Sequence, residues 1–295
     1  MTAVLNLEDV TVRFAGDGGA GNPPAVESFS LTVVKGEIFG IVGESGSGKS
    51  TIANAIMGLL PRSAEITGSV TFDGREVLGL DDDQLQRLRG NEMAMIFQDA
   101  SASLDPTWSV GDQIAETIRA HNRVPRRAAR ERAVQLMTEV GIPDAAARYF
   151  DAPHRLSGGM RQRIVIAAAL ANNPLLLIAD EPTTALDVTI QAQVLALIQQ
   201  LRTDHGTTVV LITHDLGVIA QICDRVGVMH GGRLLEVATV GELFANPQHP
   251  YTRALLAASP GASPRGKRLP VIPAEWSVES LRARETEHVA VEAGK

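Results

Sequence analysis

Residues 4–14 alternate between polar and apolar positions, with Val4, Leu5, Leu7, Val10, Val12 and Phe14 apolar. That period predicts a strand, half buried, on an antiparallel edge sheet. The glycine- and proline-rich stretch 16–24 reads as a turn or hairpin tip. Residues 28–34 resume strand, and 35–37 turn into the unbroken apolar run 38–42, a buried strand. Helical spacing over 51–60 ends before Pro61. A short strand at 69–72 closes on the tight turn Asp73-Gly74. A polar helix follows at 81–89, then a buried strand at 93–97. Residues 99–108 form a loop broken by Pro106. Three helical runs come next, 109–120, 126–140 and 144–150, punctuated by Gly141 and Pro143.

The second half continues the alternation. Leu156 to Met160 opens a helix running to about Asn172, and Asn173-Pro174 closes it. Residues 175–179 are a fully apolar strand ending in Asp180-Glu181. An amphipathic helix at 188–202 ends near Gly206. A strand at 207–213 and a helix at 215–223 follow. Residues 224–230 and 233–237 form a hairpin about Gly231-Gly232, and short helices follow at 240–245 and 251–258. Beyond Pro260 the composition shifts to linker, then to a charged tail with one weakly helical piece at 278–284. Strands alternating with helices predict a mainly parallel sheet covered on both faces. The antiparallel pieces, 4–37 and 224–237, read as an edge sheet. There is no internal repeat.

Composition narrows the class. A chain of 295 residues, 44% hydrophobic and 21% charged, fits a soluble globular protein of one large domain or two small ones. No apolar run approaches the roughly eighteen residues of a membrane span. The start has no basic region and carries acid early, so no secretory signal is expected. The single cysteine, Cys223, excludes an internal disulfide and a four-cysteine metal site within one chain. Cytosolic location is the simplest expectation. A net charge of −7 argues against a protein built to hold nucleic acid. The basic cluster Arg126, Arg127, Arg130 and Arg132 beside Glu131 reads as a solvated helix face.

The candidate chemistry centres on Gly43-Glu44-Ser45-Gly46-Ser47-Gly48-Lys49-Ser50-Thr51, which fits G-x-x-x-x-G-K-[ST] with a strand before and a helix after. Glycines let backbone N–H groups turn inward around phosphate oxygens. The helix that starts at the loop's end points its positive end at the same phosphates. Lys49 can reach the β- and γ-phosphates, and the Ser50 hydroxyl can hold Mg²⁺. A second signal is Asp180-Glu181 at the C-terminal end of a parallel strand, facing a ligand crevice. Asp180 can hold Mg²⁺ through water beside Ser50, and Glu181 can orient or deprotonate an attacking water. Phe14 is either an ordinary strand aromatic facing the core or a platform for an adenine ring.

Leu156-Ser157-Gly158-Gly159-Met160 ahead of the Asp180-Glu181 strand resembles the signature of ATP-binding-cassette (ABC) ATPases. Gln98 after an apolar strand, Ala185-Leu186-Asp187 and His214 after Leu211-Ile212-Thr213 match further family motifs, in the family's order. The resemblance implies a P-loop NTPase core, α/β with a mainly parallel sheet, an antiparallel β subdomain at its edge and an inserted α-helical subdomain. The core would span 1–98 and 173–260, the helical part 99–172, and a linker and tail 261–295. ATP and Mg²⁺ are the implied cofactors. By resemblance, Lys49 and Ser50 bind phosphate and Mg²⁺. Gln98 touches Mg²⁺ and the water, Asp180 serves the metal, Glu181 the water, and His214 the γ-phosphate. Phe14 stands where the family stacks adenine, usually on tyrosine. Ser157, Gly158 and Gly159 would contact the γ-phosphate of a nucleotide held by a partner subunit.

Ser157 to Arg163, Asp180 to Val188 and Asn246-Pro247-Gln248-His249-Pro250-Tyr251-Thr252-Arg253-Ala254-Leu255-Leu256 are similar to the ATPases of oligopeptide, dipeptide and nickel importers. Met160 in place of the sister subunit's usual glutamine points to the first ATPase of a pair. The implied partners are a second ATPase subunit, two membrane permease subunits and, indirectly, an extracellular substrate-binding protein, with no nucleic acid. The expected place is peripheral, at the cytoplasmic face of the cell membrane. Peptide is the first choice of solute, with nickel, a metal–chelator complex or another small solute behind it. A non-transport ABC ATPase would need a coiled-coil arm, a second cassette or a basic face, and none is visible. The chain departs from relatives in lacking cysteines after 223, so no iron–sulfur group is expected. It also has Ala100 and Asp105 where proline and asparagine are frequent.

Overall fold

The computed structural model describes residues 2–14, 23–99, 102–184 and 186–259. Most of the turn expected at 16–24 lies outside these residues, as do Ala100, Ala185 and the tail 261–295 with its 278–284 piece. Strands β1 (Ala3–Phe14), β2 (Val26–Val34) and β3 (Ile38–Val42) lead to helix α1 (Lys49–Ile56). Next come β4 (Ala64–Phe72), β5 (Arg75–Glu76), α2 (Asp82–Leu88) and β6 (Met93–Ile96). A helical block follows: α3 (Val110–His121), α4 (Arg126–Glu139), α5 (Ala145–Arg148) and α6 (Gly158–Ala169). Alternation returns with β7 (Leu176–Asp180), α7 (Val188–His205), β8 (Thr208–Thr213) and α8 (Leu216–Ile222). The last elements are β9 (Arg225–His230), β10 (Arg233–Thr239), α9 (Val240–Ala245) and α10 (Pro250–Ala258).

The chain folds as two compact units. The first holds the described residues of 1–4, 33–38 and 72–212, the second those of 5–32, 39–71 and 213–295. In the first, β6, β7 and β8 run parallel, with Met93 beside Leu176, Ile96 beside Ala179, and Asp180 beside Ile212. Every residue of β7 and β8 is buried, as a parallel strand covered on both faces requires. The helical block packs around Tyr149. Its hydroxyl donates to Asp112 Oδ1 at 2.8 Å, and a Cβ on Gly111 would lie 2.1 Å from its ring. Arg130 stands over the Tyr149 and Phe150 rings at 5.1 and 4.5 Å. Arg127 pairs with Glu131 and Arg132 with Glu139. Three of the four clustered arginines therefore have partners within their own block.

In the second unit the alternating β1 lies between β2 and β4. The expectation of one edge sheet built from 4–37 and 224–237 is corrected here. β9 instead runs parallel to β3, from Phe39 beside Arg225 to Val42 beside Val228, and only β10 returns antiparallel to it. The reason is burial: five of the six β9 residues are buried, which suits an interior strand. Helix α1 ends at Ile56, short of residue 60, because Gly58 turns left-handed at φ +62°. β4 begins earlier than the pattern suggests. Gly68 interrupts its apolar signal, and a Cβ there would meet Glu8 O and Asp9 O at 2.5 and 2.6 Å. A core cluster joins Val42, Leu216, Ile219, Val226, Val228, Leu243 and Tyr251. Among the described residues no helix is long and apolar enough to cross a membrane.

Candidate functional site

The second unit carries the phosphate loop. Between the buried strand β3 and α1 the backbone turns left-handed at Gly46 (φ +80°) and Gly48 (φ +97°). Gly48 is the residue before α1, which has neither a side-chain cap nor an acidic residue in its first turn. The helix thus starts without a side-chain cap at Gly48, and the positive end of its dipole suits an anion. Lys49 is buried, and its Nζ donates to Gly43 O at 2.8 Å and Glu44 O at 2.7 Å. The ammonium lies folded into the loop that the sequence assigns to it. Ser45, Gly46 and Ser50 are exposed, Glu44, Gly48 and Thr51 half-buried, and Gly43 and Ser47 buried.

Packing alone dictates glycine at two of these positions. A Cβ at Gly43 would lie 2.1 Å from Met229 O, and one at Gly48 would lie 2.7 Å from Ala25 O. Gly232 N donates to Ser47 O at 3.1 Å. The end of β9 and its turn to β10 therefore brace the loop, a role that sequence reasoning gave to no residue there. Nothing in the Met229–Gly232 stretch marks it except the paired glycines. Also in this unit, His214 follows β8 and is exposed. Phe14, at the end of β1, is 44% exposed, which removes the core-facing reading of that ring.

The first unit carries the carboxylates. Asp180 is 5% exposed at the end of β7. Glu181 follows in a left-handed conformation, φ +48°, a strained state for a non-glycine residue and one that clusters at functional sites. Its backbone N–H donates to Ile212 O at 2.9 Å, so the chain path of the sheet imposes that turn. Gln98 Nε2 donates to Glu181 Oε2 at 3.0 Å, and Thr184 Oγ1 donates to the same oxygen at 2.7 Å. The structure thus joins Gln98 and Glu181 directly, two residues that the resemblance assigns to the same water. It adds Thr184, for which the one available hint is its place three residues on in a turn.

The signature turn is in the first unit as well. Leu156 is buried, Ser157 and Gly158 are exposed, and Gly159 is half-buried. Ser157 is the cap of α6, its hydroxyl accepting from Met160 N at 3.3 Å. That leaves the N–H groups of Gly158 and Gly159 at the positive end of the helix dipole, outside the capping bond. Gly159 has no room for a side chain, since its Cβ would meet Ile190 Cγ2 at 2.8 Å. Asp187, capping α7 through Ile190 N at 2.9 Å, fixes that neighbour.

The family described as "ABC transporter" matches residues 26–184, and that described as "Oligopeptide/dipeptide transporter, C-terminal region" matches 235–283. The oligopeptide transport ATP-binding protein OppD of Bacillus subtilis is 47% identical over 269 residues, 90% of this chain and 75% of that protein. The dipeptide transport ATP-binding protein DppD of the same organism is 47% identical over 91% of this chain and 80% of its own. OppD of Escherichia coli is 45% identical over 92% and 80%. Among solved structures, the dimeric post-hydrolysis state of the ATP-binding cassette MJ0796 with ADP and Pi superposes with a TM-score of 0.71 at 30% identity. It covers 80% of this chain and 98% of that one.

Proposed function

The chain belongs to the ABC transporter family as an ATP-binding, ATP-hydrolysing subunit, and we propose that it powers import of oligopeptides or dipeptides through a membrane complex. The observation that carries this reading is the pairing, in one chain, of the ATPase region 26–184 with the transporter C-terminal region 235–283. The relatives' names, oligopeptide and dipeptide transport ATP-binding proteins, support the solute class.

On this reading Lys49, with the amides of Gly43–Thr51, takes the phosphates of ATP, and Phe14 stacks on the adenine. Ser50 and Asp180 hold Mg²⁺, with Gln98 also reaching it. Both are hard oxygen donors, the type Mg²⁺ selects. When bound, the ion neutralises charge that builds on the phosphates. Glu181 takes a proton from, or orients, the attacking water, and His214 contacts the γ-phosphate. Ser157, Gly158 and Gly159 serve a nucleotide on a second ATPase subunit, and exposure of Ser157 and Gly158 favours that use. The partners are a second, non-identical ATPase and two permeases, and the chain works at the cytoplasmic face of the membrane. Closure of the ATPase pair on ATP changes the permeases' access state, and hydrolysis resets it.

The test is turnover in reconstituted vesicles with permeases, partner ATPase and binding protein, supplied with peptide or with nickel. Peptide should raise the rate of ATP hydrolysis and accumulate inside. Stimulation by nickel with none by peptide would overturn the solute assignment, and full turnover by dilute isolated chain would overturn the shared pocket.

A further inference from the structure

The phosphate loop has few side chains of its own to hold its shape, and a Cβ on Gly46 would meet nothing within 4 Å. Besides the bonds that Lys49 makes within it, the loop is braced by a wall beside it. That wall begins at Met229, whose carbonyl packs on Gly43, and ends at Gly232, whose N–H holds Ser47 O. Gly232 O in turn accepts from Glu27 N at 2.9 Å. His230 stands in the middle, 3% exposed, with its ring stacked on Tyr251 of α10 at 4.1 Å between centroids and 30° between planes.

Tyr251 is fully buried and shares the core cluster with Val42, the last residue before the loop. Its backbone is fixed from the other side. His249 Nδ1 accepts from Tyr251 N at 3.1 Å, and Glu236 on β10 accepts from Gln248 N and His249 N at 2.8 and 2.9 Å. Burial and then the Glu44 charge push the Tyr251 pKa up, while the Glu44 backbone N–H acts in the opposite sense.

We propose that Tyr251 is a positioning residue for nucleotide binding, which through His230 holds the Met229–Gly232 wall against the phosphate loop. The C-terminal segment 246–259 thereby sets how tightly the loop grips phosphates. The ring touches no reacting atom, so its influence falls on binding rather than on the chemical step. The proposal rests on the reading that Gly43–Thr51 holds ATP.

The test uses the full chain and a fluorescent ATP analogue. Tyr251→Leu removes the stack from one side and His230→Ala from the other. Each should weaken ATP and ADP binding by about three- to tenfold, the affinity equivalent of one aromatic pair. With the partner ATPase, KM for ATP should rise in step while kcat at saturation holds. Leu243→Ala, in the same core cluster but not one of the wall residues 229–232, should lower the melting temperature and leave affinity at the wild-type value. Wild-type affinity in folded Tyr251→Leu, or in His230→Ala if the first variant does not fold, overturns the proposal. So does a loss in Leu243→Ala as large as in the other two. Failure of the wild-type chain to bind ATP at all would instead sink the reading of the loop.

Discussion

Three glycines of the phosphate loop face different physical costs on substitution by alanine, and the differences can be worked out position by position. Gly43 is not in the left-handed region, so backbone strain contributes nothing there. Its cost is steric: the Cβ would sit 2.1 Å from Met229 O and 2.9 Å from Ser47 Oγ. A backbone carbonyl in a paired strand yields only if β9 moves, and overpacking of this kind costs about 1–3 kcal/mol. Gly48 adds two terms, a φ of +97° and a contact to Ala25 O at 2.7 Å, for about 2–5 kcal/mol. Gly46 has a φ of +80° and open space. Its left-handed strain of about 1–2 kcal/mol is partly offset by about 0.4–1 kcal/mol from a stiffer unfolded chain. The expected order of damage is Gly48→Ala, then Gly43→Ala, then Gly46→Ala. Thermal unfolding followed by circular dichroism, without nucleotide, reads it directly. In chains somewhat smaller than this one each kcal/mol lowers Tm by about 2–4 °C. A nucleotide-free Gly43→Ala that melts with the wild type would refute the reasoning. It would mean that the wall is soft and that glycine is there for phosphate alone.

Glu181→Gln should keep ATP affinity and lose about two to four decades of turnover, the usual weight of a general base; phosphate release at saturating ATP checks it, and wild-type turnover would remove Glu181 from that role. Ser157→Ala removes the cap of α6 and should cost about 0.5–2 kcal/mol of stability, measurable by denaturant unfolding of the isolated chain. Turnover per chain should rise with concentration and again on adding the partner ATPase, and a rate independent of both would count against a shared pocket. Burial, then the Asp224 charge, push the Cys223 thiol from about 9 up to about 12. Between those values the unfolded chain has lost a proton that the folded one keeps, so stability falls as pH rises above about 9, by up to about 1.4 kcal/mol per pH unit. Denaturant unfolding at pH 8 and pH 10 should show a larger loss for the wild type than for Cys223→Ala, and equal losses would show that the thiol is not desolvated.

Local chemistry made most of the architecture legible. The apolar runs 38–42 and 175–179 became buried strands, because a parallel strand covered on both faces has nowhere to put a polar residue. Asp81, Ser109, Ser157 and Asp187 cap helices close to where the pattern starts them. What escaped depends on contacts between distant segments. The pairing of β9 with β3 is not written in residues 225–230, which read equally well as a hairpin arm. Gly68 hid the start of β4, since its reason lies in the carbonyls of Glu8 and Asp9. The left-handed turn at Glu181 comes from its bond to Ile212 O, which no local propensity encodes. In the site, motif spacing identified the loop and the carboxylates. Thr184 and the Met229–Gly232 brace were missed because each acts through a neighbour.

Lys49, bonded to two carbonyls of its own loop, has a consequence for energetics. If the loop takes the phosphates of ATP as proposed, an arriving triphosphate displaces acceptors already in place, so occupancy is an exchange. The measured affinity is then a difference between two sets of charge-assisted bonds, smaller than either alone.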